Sequence, residues 1–77
     1  NMRFKKDDII LVELKCNEYE YTLQFLEEFK KHDGVFTVLK DDDDDIYVYS
    51  EYNGCWCLSR GKYVFSLYGL PEVLFRI

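Results

Sequence analysis

The chain of 77 residues has no alanine, one histidine, one proline and three cysteines, and no apolar run near the ~20 residues that a membrane-crossing helix requires. Each shortage excludes something. Without alanine the interior must be filled by large side chains, and six Phe, seven Tyr and one Trp supply them. An odd number of cysteines argues against an extracellular disulfide framework. A lone histidine leaves little for acid–base chemistry. His32 has Asp33 beside it, but no pattern ties a serine or cysteine to it as nucleophile, and its place after Lys30 and Lys31 reads as the end of a helix, where the dipole favours cations. No phosphate-binding loop, nucleophile elbow or zinc-protease motif is present. There is also no pattern of charged start, apolar centre and small-residue cleavage site, so a cytoplasmic location is the expectation.

What is present describes a single globular domain, residues 1–77. Hydrophobic residues make up 48% of the chain, too many for a disordered segment. The net charge of −5 is uneven. Residues 1–6 carry three bases, residues 7–54 carry fourteen acids and four bases, and residues 55–77 carry three bases and one acid. An acidic centre between mildly basic ends repels nucleic-acid phosphates and anionic membranes and favours basic partners.

Hydrophobic periodicity divides the chain into short strands and one helix. Ile9 to Leu14 is β-branched and apolar and reads as a first strand. Asn17 with Glu20 three residues on has the form of a capping box, so a helix is expected to start there. Tyr21, Phe25 and Phe29, with Leu26, give that helix an apolar stripe, Glu27 and Lys31 are spaced to pair, and Asp33-Gly34 ends it. Four further strands are expected: Val35–Leu39, Ile46–Glu51, Cys55–Leu58 and Tyr63–Tyr68. Asn53-Gly54 predicts a type I′ hairpin between the third and fourth strands. Val73–Ile77 reads as an added edge strand entered through Pro71, through which a homodimer could pair.

The candidate functional residues lie around the third strand. Five consecutive aspartates, Asp41 to Asp45, repel one another and read as a solvated hairpin tip, either plain loop or acidic recognition surface. Calcium is the weaker reading, because a calcium loop spaces its ligands at alternate positions around a glycine and closes with a distal Glu. Tyr47, Tyr49 and Glu51 share one face of the strand and Ile46 and Val48 the other. If the latter pair is core, the tyrosines are exposed beside acids, the composition of a binding surface; otherwise the helix covers them. Cys16, Cys55, Cys57 and His32 match the ligand count of a Cys₃His zinc site, but the spacing is wrong for a zinc knuckle, and reduced core thiols are the preferred reading. No metal and no cofactor are expected.

Phe4–Val12, Asp33–Val38, Ile46–Tyr49, Gly54–Leu58 and the turn Ser59–Tyr63 together resemble small SH3-like barrel domains of bacterial and phage proteins. The chain departs from them in carrying a helix in place of the first loop and Asp7 where a glycine is usual. Short consecutive strands with tight turns and one early helix, together with this resemblance, lead to the expectation of an α+β, mainly β fold: a small curled antiparallel sheet or SH3-like barrel of five to six strands, with one helix inserted after the first strand. A small, acidic, alanine-free domain also looks like the inhibitors that phages make against host defence nucleases, some of which are anti-CRISPR proteins or DNA mimics. On that reading the chain is a non-enzymatic acidic protein-binding module. It docks on a basic site of a host protein through Asp41, Asp42, Asp43, Asp44, Asp45, Tyr47, Tyr49 and Glu51, with Glu27 and Glu28 as lesser candidates. The competing reading is an SH3-like accessory domain that binds nucleic acid or a ribonucleoprotein through the basic ends, with Lys5, Lys6, Arg60 and Lys62.

Overall fold

A computed structural model describes residues 2–69. Five antiparallel strands, β1 (Ile9–Leu14), β2 (Val35–Asp41), β3 (Asp45–Ser50), β4 (Gly54–Ser59) and β5 (Tyr63–Leu67), form one curled sheet in the order β4-β3-β2-β1-β5. One α-helix, α1 (Leu23–Lys31), follows β1. The mainly-β α+β fold expected from the sequence is therefore the one observed. Among the described residues β4 and β5 are the two edges and do not pair with each other, so the sheet curls without closing a ring of hydrogen bonds. The suggested strand Val73–Ile77 lies outside the described residues.

The core occupies the concave side. Ile10 and Val12 from β1, Phe36 and Val38 from β2, Ile46 and Val48 from β3 and Leu58 from β4 alternate inward, as the two-residue period of a strand requires. Phe25 of α1 enters from the open side. Its ring lies 5.5 Å from Tyr63, 5.6 Å from Trp56, 5.8 Å from Phe29 and 6.1 Å from Phe36. Burying one such side chain contributes about 1.5–3 kcal/mol, and each well-placed aromatic pair about 0.5–1.5 more, which is how an alanine-free chain this short fills its interior.

Three local expectations are corrected. The helix does not begin at Asn17. That residue caps a single 3-10 turn, Glu18–Glu20, by accepting from the Tyr19 N–H, and the chain is then extended at Tyr21. The Tyr21 hydroxyl accepts from the Cys16 N–H at 3.0 Å and donates to the Lys62 carbonyl at 2.7 Å, which pulls its residue out of a helical path. Thr22 is the working cap of α1, accepting from the Phe25 N–H. The second correction concerns the β3–β4 turn, which is not type I′. Only Gly54 has positive φ (90°), and Ser50 pairs with Gly54, leaving a three-residue loop with glycine at its exit. Ser50 Oγ secures it by accepting from the N–H groups of Tyr52 and Asn53.

The third correction decides where the acids point. β2 carries a bulge between Val38 and Lys40. Val38 pairs with Val48, and then Lys40 pairs with Tyr47 and Asp41 with Ile46. The extra residue shifts the alternation by one, so that Asp41 and not Lys40 faces the core side. Asp41 and Asp45 belong to the strands, and only Asp42–Asp44 form the turn. Asp43 takes a left-handed conformation at φ 63°, which Asp tolerates better than most residues. At the other end of β2, Gly34 follows the helix at φ 75°, where a Cβ would come within 2.7 Å of the Val12 carbonyl oxygen.

Candidate protein-binding surface

The eight residues expected to make contact do not form one surface. The Asp41 side chain is only 3% exposed. Its Oδ2 accepts from Arg60 Nη2 at 2.9 Å and from the Phe4 N–H at 2.9 Å, and its Oδ1 accepts from the Asp43 N–H at 2.9 Å. Arg3 Nε stands 3.6 Å away. The guanidinium of Arg60 also donates to the Met2 carbonyl and to the Asp43 carbonyl, and its central carbon Cζ lies 5.9 Å from the ring centres of Phe4 and Phe65. Arg60 thus ties the N-terminal segment, the β2–β3 turn and the β4–β5 turn together around one buried carboxylate. Asp41 is an internal anchor, which corrects its assignment to an outward contact surface.

The other four aspartates differ among themselves. Asp42 and Asp44 are exposed in the turn, where the Asp42 N–H donates to the Asp45 carbonyl and the Asp44 N–H to that of Asp42. Asp43 is 75% exposed and pairs with Arg3. Asp45 is half-buried as the first residue of β3.

Ile46 and Val48 are core, so the tyrosines between them face outward and the helix does not cover them. Tyr47 is half-buried with the Lys40 ammonium 5.9 Å from its ring centre, and Tyr49 is 53% exposed. Glu51 has left the strand. It turns toward the end of α1, where it meets His32 Nε2 and Lys31 Nζ, the latter at 3.4 Å. The hydrogen bond from His32, with Lys31 adding its charge, holds the Glu51 carboxyl below its ordinary value.

Of the lesser candidates Glu27 is exposed and Glu28 is not. Glu28 is 6% exposed, and its Oε1 accepts from Ser50 Oγ at 2.6 Å and from Trp56 Nε1 at 3.1 Å, while Oε2 accepts from the Glu51 N–H at 3.3 Å. It clamps α1 onto the β3–β4 hairpin, and its assignment to a contact surface is corrected. Its position three residues after Phe25, next to Phe29 and beside the apolar stripe, was the available signal.

The thiols are also placed otherwise than expected. Trp56 and Leu58 point inward from β4, so Cys55 and Cys57 point outward and are exposed, while Cys16 is half-buried. The expectation of core thiols fails for Cys55 and Cys57, because alternation admits only one set of residues to the core and Trp with Leu is the larger apolar set. Among the described residues no three His, Cys, Asp or Glu side chains converge as a metal-ligand set, and no buried side-chain polar atom lacks a partner. No helix there is long and apolar enough to cross a membrane.

No protein-family model, curated protein or solved structure matches this chain.

Proposed function

We propose that the chain is a non-enzymatic acidic protein-binding module of the cytoplasm. It acts as an inhibitor, of the anti-defence or DNA-mimic type, by occupying a basic site on a host protein. The observation that carries this reading is the turn Asp42–Asp44, which projects the carboxylates of Asp42 and Asp44 on either side of the Arg3-paired Asp43, from a backbone held from beneath by Asp41 and Arg60. A turn already fixed loses little conformational freedom on binding, and its charge steers encounter with a basic partner. Tyr47 and Tyr49 extend the same outward side of β3 with aromatic surface. The docking set is accordingly narrowed to Asp42, Asp43, Asp44, Asp45, Tyr47 and Tyr49. Asp41 positions that set, and Glu51 is engaged at the helix end. In the competing reading the basic ends bind nucleic acid. Arg3 and Arg60 are both engaged by Asp41 and Asp43, which among the described residues of the two ends leaves Lys5, Lys6 and Lys62 as its exposed cations.

The test is affinity capture from bacterial lysate by the wild type and by the D42S/D44S/D45S variant, at low and high salt, with duplex DNA as competitor. A partner held by the wild type at low salt, released by salt or by DNA, and not held by the variant is the expected result. If the folded variant retains every partner, the reading fails. Direct binding of bare DNA or RNA in a mobility-shift assay at physiological salt favours the basic-end reading instead.

A further inference from the structure

Cys55 and Cys57 are two exposed thiols on one face of an edge strand, opposite Tyr49 and Tyr47 of β3. β4 pairs with β3 without a break from Gly54 to Ser59, so the backbone between the two cysteines is extended. At about 3.3 Å of rise per residue their Cα atoms stand about 6.6 Å apart, with side chains running parallel. That span is at the outer limit for a disulfide, whose Cα atoms most often lie about 5.5–6 Å apart and whose sulfurs must approach to about 2.05 Å. Two metal–thiolate bonds set in line, at the zinc length of about 2.3 Å each, span about 4.6 Å between sulfurs, less than the spacing of the two Cα atoms.

We propose that Cys55 and Cys57 form a two-thiolate site for a soft monovalent metal ion of the copper(I) class. The donor set selects the ion: thiolates prefer soft ions, and tetrahedral zinc needs four ligands where, among the described residues, no third His, Cys, Asp or Glu joins the pair. Binding is not redox. Each thiol gives its proton to solvent, and one monovalent cation bridges two thiolates to leave a single negative charge. Two thiolates side by side repel one another, and a cation held between them removes that repulsion. The pair adjoins Tyr47 and Tyr49 of the proposed docking surface but uses none of its residues, so the proposal stands whether or not that surface binds a protein.

The test is an anaerobic titration of reduced full-length protein with copper(I) against a chromophoric copper(I) chelator. The wild type and C16S are expected to withdraw one equivalent. C55S and C57S, which alter exposed side chains and whose folding is checked by circular dichroism, are each expected to lose about 100-fold or more in apparent affinity, because the second thiol no longer acts at high effective concentration. Wild-type protein that withdraws no copper, single variants that compete as well as the wild type, or a stoichiometry that falls only in C16S would each overturn the proposal.

Discussion

Replacing Asp41 by Asn, and each neighbouring aspartate by Asn in parallel, separates five chemically identical residues by what the fold asks of them. All five changes remove one negative charge, so effects of net charge cancel in the comparison. At Asp41 the amide has a single oxygen. Oriented toward Arg60 and the Phe4 N–H, it sets its NH₂ against the Asp43 N–H. Flipped, it sets NH₂ against both of the other donors. At least one hydrogen bond to a charged group is lost in either case, about 1.5–3 kcal/mol, and Arg60 keeps a charge without a counterion. Breaking a fully buried pair costs about 3–5 kcal/mol. The Arg60 side chain retains 15% exposure, which places the cost for D41N lower, at about 2–4 kcal/mol. For a domain of this size that lowers Tm by about 10 °C or more. Asp42 and Asp44 are exposed, and their Asn variants should stay within about 0.5 kcal/mol of wild type. Urea denaturation followed by Trp56 fluorescence measures all of them. If D41N unfolds within 0.5 kcal/mol of D42N, the bulge does not place Asp41 as described, and the rigid turn on which the proposed function depends loses its support.

Three further outcomes follow from the same contacts. Glu28→Ala leaves Ser50 Oγ and Trp56 Nε1 without their acceptor and should cost about 2–4 kcal/mol, whereas Glu28→Gln, which keeps one oxygen for both, should cost about 1; equal losses would place the clamp elsewhere. The carboxyl of Glu51 is held low by His32 and Lys31, so its contribution to stability is present above the ordinary value of 4.5 and is lost as pH falls through the depressed folded value. His32→Gln should therefore destabilise at pH 6 and approach wild type in strong acid, and a pH-independent gap in denaturation midpoints would refute the pairing. Gly34→Ala brings a Cβ within 2.7 Å of a backbone carbonyl at positive φ and should lose well over about 1 kcal/mol by thermal denaturation, while Gly54→Ala, with positive φ and open space around it, should lose about 1. Equal shifts would show that the close approach to Val12 contributes nothing.

Much of the fold was readable because strand rhythm and turn chemistry are local. Ile9–Leu14 occupies the predicted residues, the Asp33-Gly34 exit follows from positive φ, and of the two faces left open for the third strand the one with Ile46 and Val48 inward is observed. The site was less readable. Five identical residues carry no internal mark of which one faces inward, and the bulge that decides it is set by pairing to β3 and by an arginine nineteen positions away. The start of α1 was missed because two hydrogen bonds from the Tyr21 hydroxyl outweigh a good capping sequence at Asn17. The thiols were misplaced for a different reason. The alternation with Trp56 and Leu58 was already present in the sequence, but the tendency of free cysteine to be buried was given more weight.

The bulge makes the anchor a matter of position and not of any individual residue. Deleting any one of the five aspartates yields the same chain, and in every such chain an aspartate still follows Lys40. What a deletion shortens is the turn, whose Asp43 and Asp44 backbone is bound by Asp41 and Arg60. A change in repeat length therefore leaves the anchoring carboxylate in place and falls on the contacts that fix the tip.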